Sequence, residues 1–373
     1  MRTLPFAPAL LLILLAACAS DLPKATDIEQ MRVLGTKLSV VGDEDRATPA
    51  PGESVHLSFV TVFPDLDGTT EESELMIVSC TAPDRFTGGL PICQELIDAA
   101  ESGEVESGSV LTAARKVDCR DIPGRRQTFA GVTVACVSGP PEIDLPIPDD
   151  FEAESAMFLG VLCEKGDAYF DPTSTELFGC DDNDGETIAL HGTYPVRRDA
   201  EDENHNPDAT KLSIEMEPFI EWRPIDGTPL AEPGALSDEC LAMADALAAD
   251  VGGDSASSPL MPGVDVGAHQ LTLRFPAEER ERMGEAFESL EISIHTTFGE
   301  MERQFTVWTD ESETVDAKRG DVPIDTDPPW LEEDVSWDPD NDVPAAGQLV
   351  RFFVTVRDQR GGFNMSTYAA CVR

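Results

Sequence analysis

The chain has 373 residues, Lys+Arg 26 against Asp+Glu 72, a formal net charge of −46 and 41% hydrophobic residues. That acidity excludes nucleic acid as a partner and argues against adhesion to anionic bilayers through surface charge, because each phosphate contact needs a Lys or Arg. The apolar fraction excludes a disordered polyanion, and the length accommodates two domains of about 100–200 residues.

At the N-terminus Arg2 precedes an apolar run from Leu4 to Leu15, followed by Ala16-Ala17-Cys18. A charged start, an apolar core of about 7–15 residues and small residues at the cut define a secretory leader. Leu15-Ala16-Ala17-Cys18 resembles the bacterial lipobox, which implies cleavage before Cys18, acylation of that residue and attachment to a membrane through the lipid anchor. A soluble secreted protein in which Cys18 merely adjoins the cut is the alternative. No other apolar run approaches the roughly 18 residues of a membrane span. Each buried methylene contributes about 0.8 kcal/mol, so several acyl chains hold firmly where one does not. Ala19 and Ser20 agree with the familiar sorting rule that sends such lipoproteins of two-membrane bacteria to the outer membrane, and the expected location is the cell envelope. The expected segments are a signal peptide over 1–17, a lipidated tether over 18–28, a first domain over 29–200, a linker over 201–209 and a second domain over 210–373.

Strand patterns begin at Met31–Val41 and Val55–Phe63, where Val55, Leu57 and Phe59 share one face and Ala47–Glu53 supplies Pro/Gly turn chemistry. Leu75–Cys80, Gly131–Val137, Met157–Cys163 and Thr187–His191 follow, with Gln94–Ala100 as a short helix. The basic stretch Asp118–Thr128 reads as loop and Pro140–Pro148 as a proline-rich crossing. The apolar pattern stops at Glu201–Asp208 and restarts with period two at Leu212, Ile214 and Met216. A helix is expected over Ser237–Ala249, capped by Ser237 with Asp238 and Glu239 in its first turn. Strands are expected at Gln270–Phe275, Leu290–His295, Gln304–Thr309, Leu349–Arg357 and Asn364–Val372. Glu278–Met283 reads as one or two helical turns, and Asp310–Asp342 as mostly acidic loop.

Of nine cysteines, Cys18 belongs to the leader junction and eight remain: Cys80, Cys93, Cys119, Cys136, Cys163, Cys180, Cys240 and Cys371. An even set in an exported chain, with no C-x-x-C spacing, reads as a disulfide framework. Six precede residue 200 and two follow it, so Cys240 is expected to pair with Cys371. The first six allow 15 connectivities. Sequential pairing, 80 with 93, 119 with 136 and 163 with 180, is the arrangement adopted.

Leu349-Val350-Arg351-Phe352-Phe353-Val354-Thr355-Val356-Arg357-Asp358-Gln359-Arg360-Gly361-Gly362-Phe363 resembles the terminal hairpin of PKD-like and other Ig-like modules. Ser336-Trp337-Asp338-Pro339 with Ala346-Gly347 is similar to the strand and turn before it. Met31-Arg32-Val33-Leu34 through Pro51-Gly52-Glu53-Ser54-Val55-His56-Leu57 is similar to the opening strands of Ig-like domains in uncharacterised bacterial lipoproteins. The resemblance implies an all-β chain of two Ig-like antiparallel β-sandwich domains, the first elaborated with long disulfide-pinned loops. It carries over no catalytic residue.

Acidic loops are the one feature that points to a cofactor. Asp338, Asp340 and Asp342 place carboxylates at alternate positions, a spacing suited to Ca²⁺, though Val343 and Leu349 stand where an EF-hand needs Gly and Glu. Asp202-Glu203-Asn204-His205-Asn206-Pro207 resembles the calcium joints between cadherin repeats, which implies Asp202, Asn204 and Asn206 as ligands, with His205 in place of an acid. Asp181–Glu186 and Asp65–Gly68 are shorter matches. Ordinary turn preference explains all of these loops equally well. The five histidines form no H-E-x-x-H pair, and Gly253-Asp254-Ser255-Ala256 lacks the second glycine of a nucleophile elbow. His56 and His295 are expected to face solvent or a polar neighbour, and Trp222, Trp308, Trp330 and Trp337 to pack in cores or edges unless Trp330 and Trp337 share an exposed face. The expected function is a non-enzymatic envelope lipoprotein presenting a binding or structural surface to envelope proteins or surface ligands. Its alternatives are an exported metal-dependent hydrolase and an assembly partner marked by an exposed apolar patch.

Overall fold

The computed structural model describes residues 26, 28–64, 69–83, 93, 116–129, 132–171, 174, 177–182, 184–199, 202–216, 220–225, 240, 261–283, 286–309, 318–319, 322–323, 330–339 and 348–372. The leader with Cys18, the expected helix at 94–100, Asp340, Asp342, Asp65–Gly68, the 253–256 stretch and all of 237–249 except Cys240 lie outside them.

The first half forms β1 (Arg32–Val40), β2 (Ser54–Val62), β3 (Glu74–Thr81), β4 (Val117–Asp118), β5 (Arg126–Phe129), β6 (Val132–Ser138), β7 (Glu142–Pro146), β8 (Ser155–Cys163), β9 (Ala168–Phe170), β10 (Phe178–Cys180) and β11 (Thr187–Pro195). A three-stranded sheet β1-β2-β7 packs on a five-stranded sheet β11-β8-β3-β6-β5. Their shared core holds Leu57, Phe59 and Leu145 from the first and Leu75, Ile77, Phe158 and Tyr194 from the second. The five-stranded sheet is buried on its other face too, which is why β3 is apolar in both phases. There Met76, Val78, Cys80, Val134, Cys136, Val161 and Cys163 lie under the small sheet β10-β9-β4 and its loops. Three disulfides, Cys80–Cys93, Cys119–Cys136 and Cys163–Cys180, each tie one of the neighbouring strands β3, β6 and β8 to that outer layer.

The second half forms β12 (Ser213–Met216), β13 (Ile220–Trp222), β14 (Gly263–Val264), β15 (His269–Pro276), β16 (Arg282–Met283), β17 (Ala286–Phe287), β18 (Leu290–Thr296), β19 (Glu300–Met301), β20 (Phe305–Trp308), β21 (Lys318–Arg319), β22 (Val322–Pro323), β23 (Trp330–Asp338), β24 (Gln348–Asp358) and β25 (Phe363–Val372). Sheets β13-β12-β15-β23-β19 and β14-β25-β24-β18-β20 enclose a core of Trp222, Leu273, Trp337, Ile292, Phe352, Tyr368 and their neighbours. Cys240–Cys371 fastens the helical residue 240 to the last strand. The chain is therefore all-β and built as two sandwiches, the first carrying a disulfide-pinned layer.

Four expectations give way. Pro140–Pro148 is a strand rather than a crossing: Ile143 and Leu145 point inward while Glu142, Asp144 and Pro146 are exposed, and prolines are tolerated because β7 is an edge. The supposed loop Asp310–Asp342 contains β23, an interior strand between β15 and β19. Its acidic outer face hid it, and Arg274 holds that face by bonding Glu332 at 2.6 Å and Glu215 on β12. Asp118–Thr128 contributes β5 and two 3-10 turns. A single 3-10 turn, Ala277–Glu279, and a two-residue strand stand where Glu278–Met283 was expected to be helical.

The first residues described belong to the body. Thr26 and Ile28, inside the expected tether, are buried. Ile28 N–H donates to Thr296 O at 2.8 Å and Thr296 N–H to Thr26 O at 2.9 Å. Ile28 then packs with Leu34, Val62 and Phe353, residues of both sandwiches.

Candidate functional site

The expected linker is packed into the body at Asn204, Pro207 and Ala209, while Asp202, His205 and Asp208 stay exposed. Asn204 is 0% exposed, and its amide Nδ2 donates to Asp358 Oδ2 at 2.9 Å across 154 residues of sequence. Asp358 ends β24, and its other oxygen accepts from the N–H groups of Arg360 (2.7 Å) and Gly362 (2.8 Å), closing the final hairpin. Gly361 supplies the positive φ of +97° that the turn needs. A Cβ at Gly362 would stand 2.2 Å from Asp358 Oδ2 and 2.8 Å from His205 O, so glycine lets linker and hairpin touch.

Arg360 lies along the linker, donating to Glu203 O at 2.6 Å, Asp202 O at 3.1 Å and Glu281 Oε2 at 3.1 Å. The other oxygen of Glu281 is 2.6 Å from His205 Nδ1. Linker residues also grip the first sandwich. Asn204 N–H donates to Thr48 Oγ1, Ala47 N–H to Asn204 O, and Asn206 Nδ2 to Leu38 O at 2.7 Å. Asn206 Oδ1 accepts from Phe363 N–H at 3.0 Å. Further along the seam Arg357 donates to Leu34 O and Arg351 to Phe63 O and Pro64 O. A Cβ at Gly35 would fall 2.3 Å from the Phe363 ring, so β1 and β25 approach closely only because residue 35 has no side chain.

The joint concentrates negative charge. Burial raises the Asp358 carboxyl above its ordinary range, opposed by Asn204 and the hairpin N–H groups. Glu288, 5% exposed, is pushed up to about 7, first by burial and then by the neighbouring charges of Asp358 and Glu281, against a bond from Glu281 N–H and the pull of Arg360. Glu288 Oε1 accepts that bond at 2.9 Å, while Oε2 and Asn204 Oδ1 are buried acceptors without a donor. A carboxyl so placed holds its proton near neutral pH.

Of the three residues expected to ligate calcium here, Asp202 Oδ2 accepts from Asp199 N–H and Asn206 Oδ1 from Phe363 N–H, while Asn204 is held through Nδ2 and leaves its buried Oδ1 without a donor. Asp338 stands exposed at the end of β23. In the Asp181–Glu186 turn, Asp181 binds Arg120 (3.2 Å) and Asp167 N–H. Among the described residues no three His, Cys, Asp or Glu converge as a metal-ligand set. Trp337 is 0% exposed and donates to Phe298 O, so it shares no exposed face with Trp330. Sequence reasoning missed Glu281, Glu288, Asp358 and Arg360 as joint residues. The one available signal was Asp358 preceding Gly361-Gly362.

A second feature lies on the solvent face of β1-β2-β7. Register aligns Lys37, Ser58 and Glu142 in one row and Ser39, His56 and Asp144 in the next. With Val40–Gly42 and Glu44 they line a cavity of about 380 Å³. His56 Nδ1 is 2.7 Å from Asp144 Oδ1 and Nε2 is 3.9 Å from Glu142 Oε2, so both ring nitrogens are directed at carboxylates and neither at a serine. The cleft thus sets a lysine, a histidine and several carboxylates beside apolar surface from Val40 and Val41.

No protein-family model matches the chain and no curated protein matches it. Among solved structures it is similar to the native conformation of E. coli alpha-2-macroglobulin, with 9% identity and a TM-score of 0.19, over 91% of this chain and 17% of that one. The chain thus spans about a sixth of that protein's length, and a likeness at that score carries no inference about fold or function.

Proposed function

We propose that this protein is a non-enzymatic envelope lipoprotein, held to the bilayer through Cys18, that presents two sandwiches as one rigid body with a polar binding surface. The observation that supports the reading is the buried joint, where Asn204, Asp358 and Arg360 cross-link the two halves instead of leaving a solvated hinge. Rigid presentation needs such a joint, and the disulfides suit an oxidising compartment. Fractionation of cells tests it: the native chain should sediment with membranes and Cys18→Ala should leave them. An unchanged distribution of the variant, or a cytosolic pool with reduced thiols, would refute it.

An assembly partner is the second reading, favoured by β20. This strand is an edge of its sheet among the described residues and exposes Phe305 (53%) and Val307 (41%). Phe305→Ser with Val307→Thr should abolish co-purification of an envelope complex under that reading and leave it unchanged under the first.

A further inference from the structure

From where the N-terminal strap is pinned, we infer that the Thr296 end of the body faces the bilayer and that the joint and the polar cleft are displayed at the opposite end. The inference rests on acylation of Cys18 and deepens the proposed function by assigning the surface that meets lipid.

The strap is fixed from Thr26 onward by its two hydrogen bonds with Thr296 and by the burial of Thr26 and Ile28. About eight residues separate Cys18 from that point, a reach of at most about 29 Å even when fully extended. The body therefore cannot drift far from the membrane, and its nearest part is the end where β18 finishes. Thr297, Arg351, Phe63 and Pro64 gather there, with Thr297 N–H bonded to Arg351 O and Arg351 to the carbonyls of Phe63 and Pro64. Both sandwiches thus contribute to the anchor end, and the seam fixes its direction for the whole body.

Strand direction places everything else. Thr296 pairs with Phe352, whereas Leu290, at the start of β18, pairs with Asp358. Six residues of strand put the Asp358 hairpin about 20 Å beyond the strap. On β1 the chain runs the same way, from Arg32 beside Val62 to Val40 beside Val55. The cleft residues Ser39, Val40, Val41 and Gly42 therefore lie at the far end, beside the Arg46–His205 bridge of the joint. A net charge of −46 gives an anionic bilayer no purchase on the body, so no other surface competes with the strap as the point of attachment.

The test uses the full lipidated chain in phosphatidylethanolamine/phosphatidylglycerol vesicles that carry a headgroup-linked energy acceptor, with a donor dye at Glu302→Cys or Val41→Cys. Both positions are exposed, Glu302 near the anchor end and Val41 (53%) at the other. Flotation with the vesicles reads attachment, and transfer reads orientation. Transfer from residue 302 should exceed that from residue 41 by about twofold or more, given the 20 Å offset. A 20-residue Gly/Ser insertion after Asp21, which alters neither sandwich, should bring the two values together. Flotation with equal transfer, or with the larger value at residue 41, overturns the inference while leaving the anchor intact. Failure to float overturns the anchor and the inference with it.

Discussion

Replacing Glu288 by Gln should stabilise the protein above neutral pH and do almost nothing in mild acid. The Glu288 carboxyl titrates at 4.5 in an unstructured chain and at about 7 in the fold. A group held more tightly protonated in the folded state contributes stability that is complete below 4.5 and lost as pH rises through about 7. At about 1.4 kcal/mol per pH unit the interval is worth roughly 3 kcal/mol, reduced to about 2 by solvent that still reaches the site. Glutamine keeps the acceptor that Glu281 N–H uses and puts an amide N–H₂ where the ionised oxygen would face Asp358 and Glu281. Melting measured at pH 5 and pH 8 checks this: E288Q should gain roughly 4–8 °C at pH 8 and little at pH 5, because the native chain loses stability as pH rises from 4.5 through about 7. Equal shifts at both pH values, or a loss at pH 8, would refute the assignment of a buried proton to this carboxyl.

Other consequences can be measured on the same material. Arg360→Met removes the donor shared by Glu203 O, Asp202 O and Glu281 and should cost about 2–4 kcal/mol, splitting one calorimetric transition into two; a single unshifted transition would show that the joint does not couple the sandwiches. Cys240→Ser with Cys371→Ser opens a loop of 131 residues and should cost about 5 kcal/mol in the chain-entropy account, read by urea unfolding. Arg274→Met removes the cation shared by buried Glu215 and half-buried Glu332 and should cost about 3–5 kcal/mol, whereas truncating exposed Arg303 beside Glu333 should cost under about 1. Millimolar calcium should leave joint-coupled melting unchanged, because Asp202 Oδ2 and Asn206 Oδ1 already accept protein N–H groups and Asn204 is fully buried; a rise of several degrees would return the ion to the joint.

The readable parts of this chain were those whose physics is local. Val55, Leu57 and Phe59, and Leu271, Leu273 and Phe275, alternate cleanly because one face of each strand packs in a core and the other carries mostly polar residues. The hairpin after Asp358 carried its own glycines. β7 was obscured by prolines that only an edge tolerates, and β23 by carboxylates whose partner, Arg274, lies 58 residues away from Glu332. β4, β9 and β10 have two or three residues each and owe their place to disulfides and to the sheet beneath them, so no periodicity announces them. The joint was the least legible. An acidic run that looks solvated is buried at Asn204 because its amide meets a carboxylate 154 positions later, and nothing within the run records that distance. Even so, the break in apolar pattern marked the residues that form the joint.

The most direct test of the whole account is the mass of the N-terminal peptide from native membranes. Acylated Cys18 as the first residue is the predicted result. An intact leader, or an unmodified Cys18 thiol, would contradict an anchored envelope protein and leave the two sandwiches without their proposed role.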